Sequence, residues 1–452
     1  MRTVAGLLAA AACFSVLAGS ALTAPPIPTP GGGGVIAPPA TDDLPTADVA
    51  TWAAPGAHPA AVGEAIADPV ARGRYLVLAG DCKACHTRAG GAPFAGGRPI
   101  NTPFGAIYTA NITPDRETGI GAWSGDEFYR ALHHGVGRGG KRLYPAFPFP
   151  YFTHMTRADA DDIRAYLMTV APVSYVKPPN RLPFPLNLRF VMAIWDALFF
   201  HARTFQPDPA RSAEWNRGAY LVQGPGHCGA CHTPKNFLGA DKEKQRLQGG
   251  KLDNWVALNL TGDPRRGLSA WSREDLVEYL RTGRNAQAAA SGQMGEVIYF
   301  STSRMSDADL GAIATFLKDL PAPAQPDRGS QPEAVTLRAG EAIYVDTCAA
   351  CHRAGGDGVP RFFPPLKGDA ALQATDPTTI VRIILQGTRS VPTPGTPAPL
   401  TMPSFAWKLT DAQIASVATY VRNSWGNAAP PVSPGQVAKL RKRLQLVAQH
   451  PS

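Results

Sequence analysis

Six of the seven cysteines fall into three pairs of one pattern: Cys82-Lys83-Ala84-Cys85-His86, Cys228-Gly229-Ala230-Cys231-His232 and Cys348-Ala349-Ala350-Cys351-His352. Two thiols about one helical turn apart can add to the two vinyl groups of one porphyrin. The histidine that follows then faces the iron as its proximal ligand. A structural zinc site asks for four ligands around each metal, and a thioredoxin-like site for a single pair on an α/β pattern. Three pairs, each with its own histidine, match neither. They read as three covalent haem c sites, with Cys82, Cys85, Cys228, Cys231, Cys348 and Cys351 as anchors and His86, His232 and His352 on iron.

The sixth ligand decides what such a haem does. A methionine on the far face keeps the iron six-coordinate and raises its potential, whereas an open face admits peroxide or oxygen. Met402 is the only methionine beyond the third motif. After the second motif come Met294 and Met305; Met305 directly precedes Ser306, where a hydrophobic residue commonly staples a helix start, so Met294 is the expected ligand. After the first motif, Phe147 and Pro148 stand in the region corresponding to Met402, and Met155 is the expected ligand although it too precedes a helix cap, Thr156. His154, His133, His134 and Met192 are its alternatives. His58, His201 and His450 read as solvated, and His227 as a residue that shapes the loop before Cys228.

The elements that position these groups repeat along the chain. Arg72-Gly73-Arg74-Tyr75-Leu76-Val77, Arg217-Gly218-Ala219-Tyr220-Leu221-Val222 and Gly340-Glu341-Ala342-Ile343-Tyr344-Val345 each form a short helix leading into a cysteine motif. Asn111-Ile112-Thr113 with Ala122-Trp123-Ser124 is echoed by Asn259-Leu260-Thr261 with Ala270-Trp271-Ser272, but not in the third unit. Both Asn-x-Thr triplets match the glycosylation pattern, yet their repetition favours a structural loop. Ser124 with Glu127, Ser272 with Asp275 and Thr410 with Gln413 form capping boxes, and Thr156 and Ser306 begin similar helices. The expected fold is mainly α: three tandem class I cytochrome c-like helical domains over 66–175, 211–322 and 333–427.

The 452 residues include 45 glycines and 44 prolines, which suits small, loop-rich domains. Residues 1–24 place Arg2 before an Ala-rich apolar stretch ending in small residues, the pattern of a cleaved export signal. Its removal takes away Cys13, the unpaired cysteine, and lowers the formal net charge of +9 by one unit. Residues 25–65 read as a Pro/Gly-rich linker, 176–210 as an apolar connector too short to span a bilayer, and 323–332 as a Pro-rich linker. In the tail, 428–452, Val437, Leu440, Leu444 and Val447 recur at helical spacing beside Lys439, Arg441, Lys442 and Arg443, as in an interfacial membrane helix or a solvated one. The basic balance suits an acidic partner or anionic lipid; export argues against nucleic acid.

Beyond the attachment motifs, Gly80-Asp81-Cys82-Lys83-Ala84-Cys85-His86-Thr87, Asn101-Thr102-Pro103-Phe104-Gly105, Leu143-Tyr144-Pro145-Ala146 and Gly226-His227-Cys228 through Asn236 are specific. Over residues 66–427 the chain resembles the triheme cytochrome c subunits of membrane-bound alcohol, aldehyde, gluconate and fructose dehydrogenases. The resemblance implies a periplasmic subunit at the inner membrane. Such a subunit takes electrons from a separate catalytic subunit carrying pyrroloquinoline quinone, flavin or molybdopterin, and delivers them to ubiquinone. Many alcohol-type relatives carry methionine where Phe147 stands. The competing readings are a haem enzyme such as a cytochrome c peroxidase, and a free electron-shuttle cytochrome.

Overall fold

The computed structural model describes residues 66–323 and 332–445. The export signal, the first linker, His58, His450, Val447 and most of the second linker lie outside them. Helices dominate, as the capping signals predict: α1 (Pro69–Ala79), α2 (Gly125–His134) and α3 (Arg157–Leu167) form the first bundle. After α4 (Val191–Phe199), the second bundle contains α5 (Ala213–Gln223), α6 (Arg273–Thr282), α7 (Gly292–Phe300) and α8 (Asp307–Lys318). The third contains α9 (Ala334–Thr347), α10 (Thr378–Gln386), α11 (Asp411–Val421) and α12 (Pro434–Arg443). Ser124, Ser272 and Thr410 each make the reciprocal capping box, and Thr156 and Ser306 accept from the backbone N–H groups of Asp159 and Asp309.

Each bundle is closed by its first helix crossing a later one, α1 on α3, α5 on α8 and α9 on α11. The crossing explains the repeated glycine. A Cβ on Gly73 would stand 1.8 Å from the carbonyl oxygen of Asp162 on α3, one on Gly218 1.9 Å from that of Ala312 on α8, and one on Gly340 2.3 Å from that of Ser416 on α11. Only a residue without a side chain lets the two backbones meet there. Beside each glycine the apolar positions go inward: Leu76, Val77, Leu221, Val222 and Tyr344 are all buried. Each such aliphatic side chain contributes about 1.5–3 kcal/mol by leaving water.

Three antiparallel hairpins accompany the helices: β1 (Pro99–Thr102) with β2 (Gly105–Tyr108), β3 (Gln248–Leu252) with β4 (Trp255–Asn259), and β5 (Thr388–Arg389) with β6 (Thr401–Met402). Each follows its bundle's cysteine motif.

The first two bundles share an interior. Leu78 and Ala79 of α1 lie in one apolar cluster with Leu221, Leu310 and Phe316 of the second bundle. Their polar seam is reciprocal. Tyr75 on α1 donates to Asp309 at 2.6 Å, Tyr220 on α5 donates to Asp159, and each aspartate is also paired with its own bundle's arginine, Arg217 to Asp309 and Arg72 to Asp159. The third bundle attaches to the second by other means. Arg382 lies over the Trp255 ring, 4.3 Å from its centre, and Thr379 accepts from the Val256 N–H at 2.8 Å.

The amphipathic tail helix packs against its own bundle. Val437 and Leu440 of α12 are buried in the third core, and Arg441 reaches Asp411 at 2.7 Å. The apolar face of this helix is thus largely covered by protein. The connector helix α4 does the reverse. It buries Met192 and Asp196, the latter paired with Arg142 at 2.6 Å, and turns Ile194 and Leu198 outward, with Phe190 and Phe184 exposed beside them. Among the described residues, no helix is long and apolar enough to cross a membrane.

Candidate haem c attachment sites

The first helix of each bundle delivers its cysteines on a single helical turn: Cys82–Cys85, Gly229–His232 and Ala349–His352. All six cysteines are free of disulfides. Desolvation pushes the Cys82, Cys85 and Cys228 thiols up to about 12, and the Cys231 and Cys348 thiols up to about 11.

The three histidines share one geometry. His86 Nδ1 lies 2.7 Å from the Ala110 carbonyl oxygen, His232 Nδ1 2.7 Å from that of Leu258, and His352 Nδ1 3.0 Å from that of Pro364. A carbonyl oxygen only accepts, so Nδ1 carries the proton and Nε2 keeps its lone pair. Burial lowers all three imidazole pKa values, which also keeps that lone pair free. A neutral imidazole with Nδ1 tied back and Nε2 unprotonated is the form that binds iron. The donor set therefore fits haem c three times.

The repeated Asn-x-Thr loops supply two of those carbonyls. Asn111 Oδ1 accepts from the Thr113 N–H at 2.9 Å, and Asn259 Oδ1 from the Thr261 N–H at 2.8 Å. Each turn fixes the residue just before it, Ala110 or Leu258, whose oxygen orients the histidine. The third bundle lacks the loop and uses Pro364. Repetition had marked the triplets as structural, and their role in holding the ligand is visible only in three dimensions.

On the opposite side of the chain order, Met294 lies on α7 and Met402 on β6, each with part of its side chain uncovered. Met155 is different: it is 2% exposed, among Leu76, Val77, Phe128 and Ile163. Its alternatives are also covered or turned outward. His133 is buried against His134 and Thr204, His154 beside Arg203, Met192 is on the buried side of α4, and His134 is exposed. His201 is exposed as expected, whereas His227 sits between bundles, its Nε2 3.3 Å from the Gly80 carbonyl oxygen.

The first two motifs lie close to each other across the bundle seam. Beside Cys85, Arg98 donates to the Ala84 carbonyl at 2.6 Å and pairs with Glu296 of α7 at 2.7 Å. Asp81, just before Cys82, is buried and its pKa is raised by desolvation and then by Glu296. This acidic pair was not singled out in the sequence, where Asp81 and Glu296 stand far apart.

The cytochrome c family model matches residues 70–171 and 337–425. The gluconate 2-dehydrogenase cytochrome c subunit of Pantoea cypripedii is 42% identical over 82% of this chain and 89% of its own length. The cytochrome c subunit of the alcohol dehydrogenase (quinone) of Gluconacetobacter polyoxogenes is 41% identical over 82% of this chain and 84% of its own. For the fructose dehydrogenase cytochrome subunit of Gluconobacter japonicus the identity is 37%, over 82% of each chain. With its haem-binding motifs and this degree of identity along most of its length, the chain belongs to the family of dehydrogenase cytochrome c subunits.

Proposed function

We propose that this chain carries three haems c and is the electron-transfer subunit of a dehydrogenase complex, passing electrons from a catalytic subunit to ubiquinone or the respiratory chain. The observation that carries the proposal is the threefold recurrence of a Cys-x-x-Cys-His turn with its histidine Nδ1 held by a backbone carbonyl. Bound haem c supplies one-electron chemistry at iron. Cys82 and Cys85, Cys228 and Cys231, and Cys348 and Cys351 would hold the macrocycles; His86, His232 and His352 would ligate the irons, with Met294 and Met402 as further ligands in the second and third bundles. The chain's other residues set the order of contact. The second bundle touches both neighbours, through Tyr75–Asp309 on one side and Thr379–Val256 on the other, so electrons cross it between the first and third.

The partner is a catalytic dehydrogenase subunit, as the relatives' names suggest, of the pyrroloquinoline quinone, flavin or molybdopterin type that the family resemblance implies. Residues 1–24, with Arg2 before an Ala-rich apolar stretch, support export to the periplasm. For contact with the inner membrane, the exposed side of α4 with Phe184, Phe190, Ile194 and Leu198 is better suited than α12, because an apolar face must be uncovered to enter the interface. Relatives named as cytochrome subunits lend no support to the peroxidase reading. Intact mass of the mature protein is expected to show three haem adducts, and detergent extraction to bring down a larger dehydrogenase with it. Fewer than three adducts, or a chain recovered alone, would overturn the proposal.

A further inference from the structure

We infer that the first haem of this chain has an open distal face, lined by Phe147 instead of sulfur, and that its ferrous iron binds a small neutral diatomic molecule. The inference rests on the three-haem reading above. It comes from comparing the three bundles with one another. The residue before the cap of the last helix is Met155 in the first, Met305 in the second and Leu409 in the third, and these are 2%, 4% and 6% exposed. Leucine has no atom to offer iron. The shared position is thus a packing position, the hydrophobic staple of α3, α8 and α11, and Met155 fills it as Leu409 does.

Groups that meet a haem in this fold keep part of their surface uncovered by protein. That holds for His86, His232 and His352, and for Met294 and Met402. Met155 has no such free face. In the first bundle Phe147, which precedes Pro148 as Met402 precedes Pro403, does have one: it is partly covered and lies 5.4 Å from Phe152 in ring-centre distance. It packs on the same cluster as Cys82.

No other described donor takes its place. His133, His154 and Met192 are 8%, 6% and 6% exposed; His133, His134 and His154 already have polar neighbours, and His227 Nε2 is turned to the Gly80 carbonyl oxygen at 3.3 Å. Met168 caps the far end of α3, where the second and third bundles have Asp319 and Arg422. A benzyl side chain has no lone pair for iron, and an apolar lining disfavours anions because a charge loses its hydration there. Neutral diatomics such as carbon monoxide or nitric oxide suit the site.

The test uses the full-length holoprotein, reduced and titrated with carbon monoxide, with haem content measured on the same sample. One ligand bound per chain is expected, and a high-spin ferric signal from one haem by electron paramagnetic resonance. Phe147→Met should lower carbon monoxide affinity by about tenfold or more by supplying the missing sulfur. Met155→Leu should leave the stoichiometry at one, while Met402→Leu should raise it to two. No carbon monoxide uptake by the wild-type protein, or a second site opened by Met155→Leu, would overturn the inference. A haem content below three would instead undo the reading on which it rests.

Discussion

The first and second bundles are joined by exchange, the third by attachment. Tyr75 and Tyr220 occupy the same place in their repeats, and each donates to the aspartate of the other bundle, so neither can leave without breaking both contacts. Tyr344 of the third bundle is displaced by two residues relative to the glycine of its helix, and its hydroxyl turns home, donating to the Arg353 carbonyl at 2.6 Å just past the cysteine motif. A shift of two positions along a helix rotates a side chain by more than half a turn. It converts a residue that binds a neighbour into one that braces its own loop.

The strongest way to break this comparison is at the exchanged contacts. Asp159→Ala leaves the Tyr220 hydroxyl without its carboxylate and Arg72 with Asp162 alone, and should cost about 3 kcal/mol, read by denaturant unfolding of the holoprotein. The double variant Asp159→Ala with Asp309→Ala should cost clearly less than the two single losses together, since either one opens the same seam. Strict additivity would mean that the two contacts do not act as one interface.

Gly340→Ala tests the other side. Its Cβ would collide with the Ser416 carbonyl and force α9 from α11, for about 3 kcal/mol. Hydrogen exchange should accelerate in α9 and α11 but not in α1 or α5. Uniform acceleration would show that the third bundle is as tightly coupled as the first two.

A smaller effect is expected from Arg382→Ala, which removes the stack on Trp255 and the 2.7 Å bond to the Asp253 carbonyl at the second seam. About 1–2 kcal/mol is the scale of such a contact, detectable as increased protease sensitivity between the second and third bundles.

The last prediction concerns pH. Burial holds the Asp369 carboxyl up to about 6, against the opposing pull of the Leu372 and Ala371 N–H groups, whereas its ordinary value is 3.8. The folded form therefore keeps a proton that the unfolded form releases between these values. The stabilisation is complete below that window and is lost as pH rises through it. Asp369→Asn should flatten the stability profile from pH 4 to pH 6; an unchanged slope would place the titration elsewhere.

Much of the site was legible because haem attachment needs residues adjacent in sequence. Cys-x-x-Cys-His is a local motif, and the caps at Ser124, Ser272 and Thr410 are equally local, so both could be read directly. The repeated glycine was visible as a pattern, but its cause, a backbone crossing with Asp162 or Ala312, depends on residues far along the chain. Met155 shows the limit of reading by type. A methionine in the right interval is expected as a ligand, and Met155 differs from Met294 in its packing, which the sequence does not show. The α12 face illustrates the same ambiguity: helical spacing of Val437 and Leu440 predicts an apolar stripe without saying what covers it.

Leu78 and Ala79 belong both to the helix that leads to the first thiol pair and to the apolar interior of the second bundle. Two repeats of similar sequence thereby form one folding unit, since cutting between them would expose the hydrophobic contents of both. Shuffling or excising either half should yield insoluble fragments, and a smaller relative could arise only by keeping this pair intact.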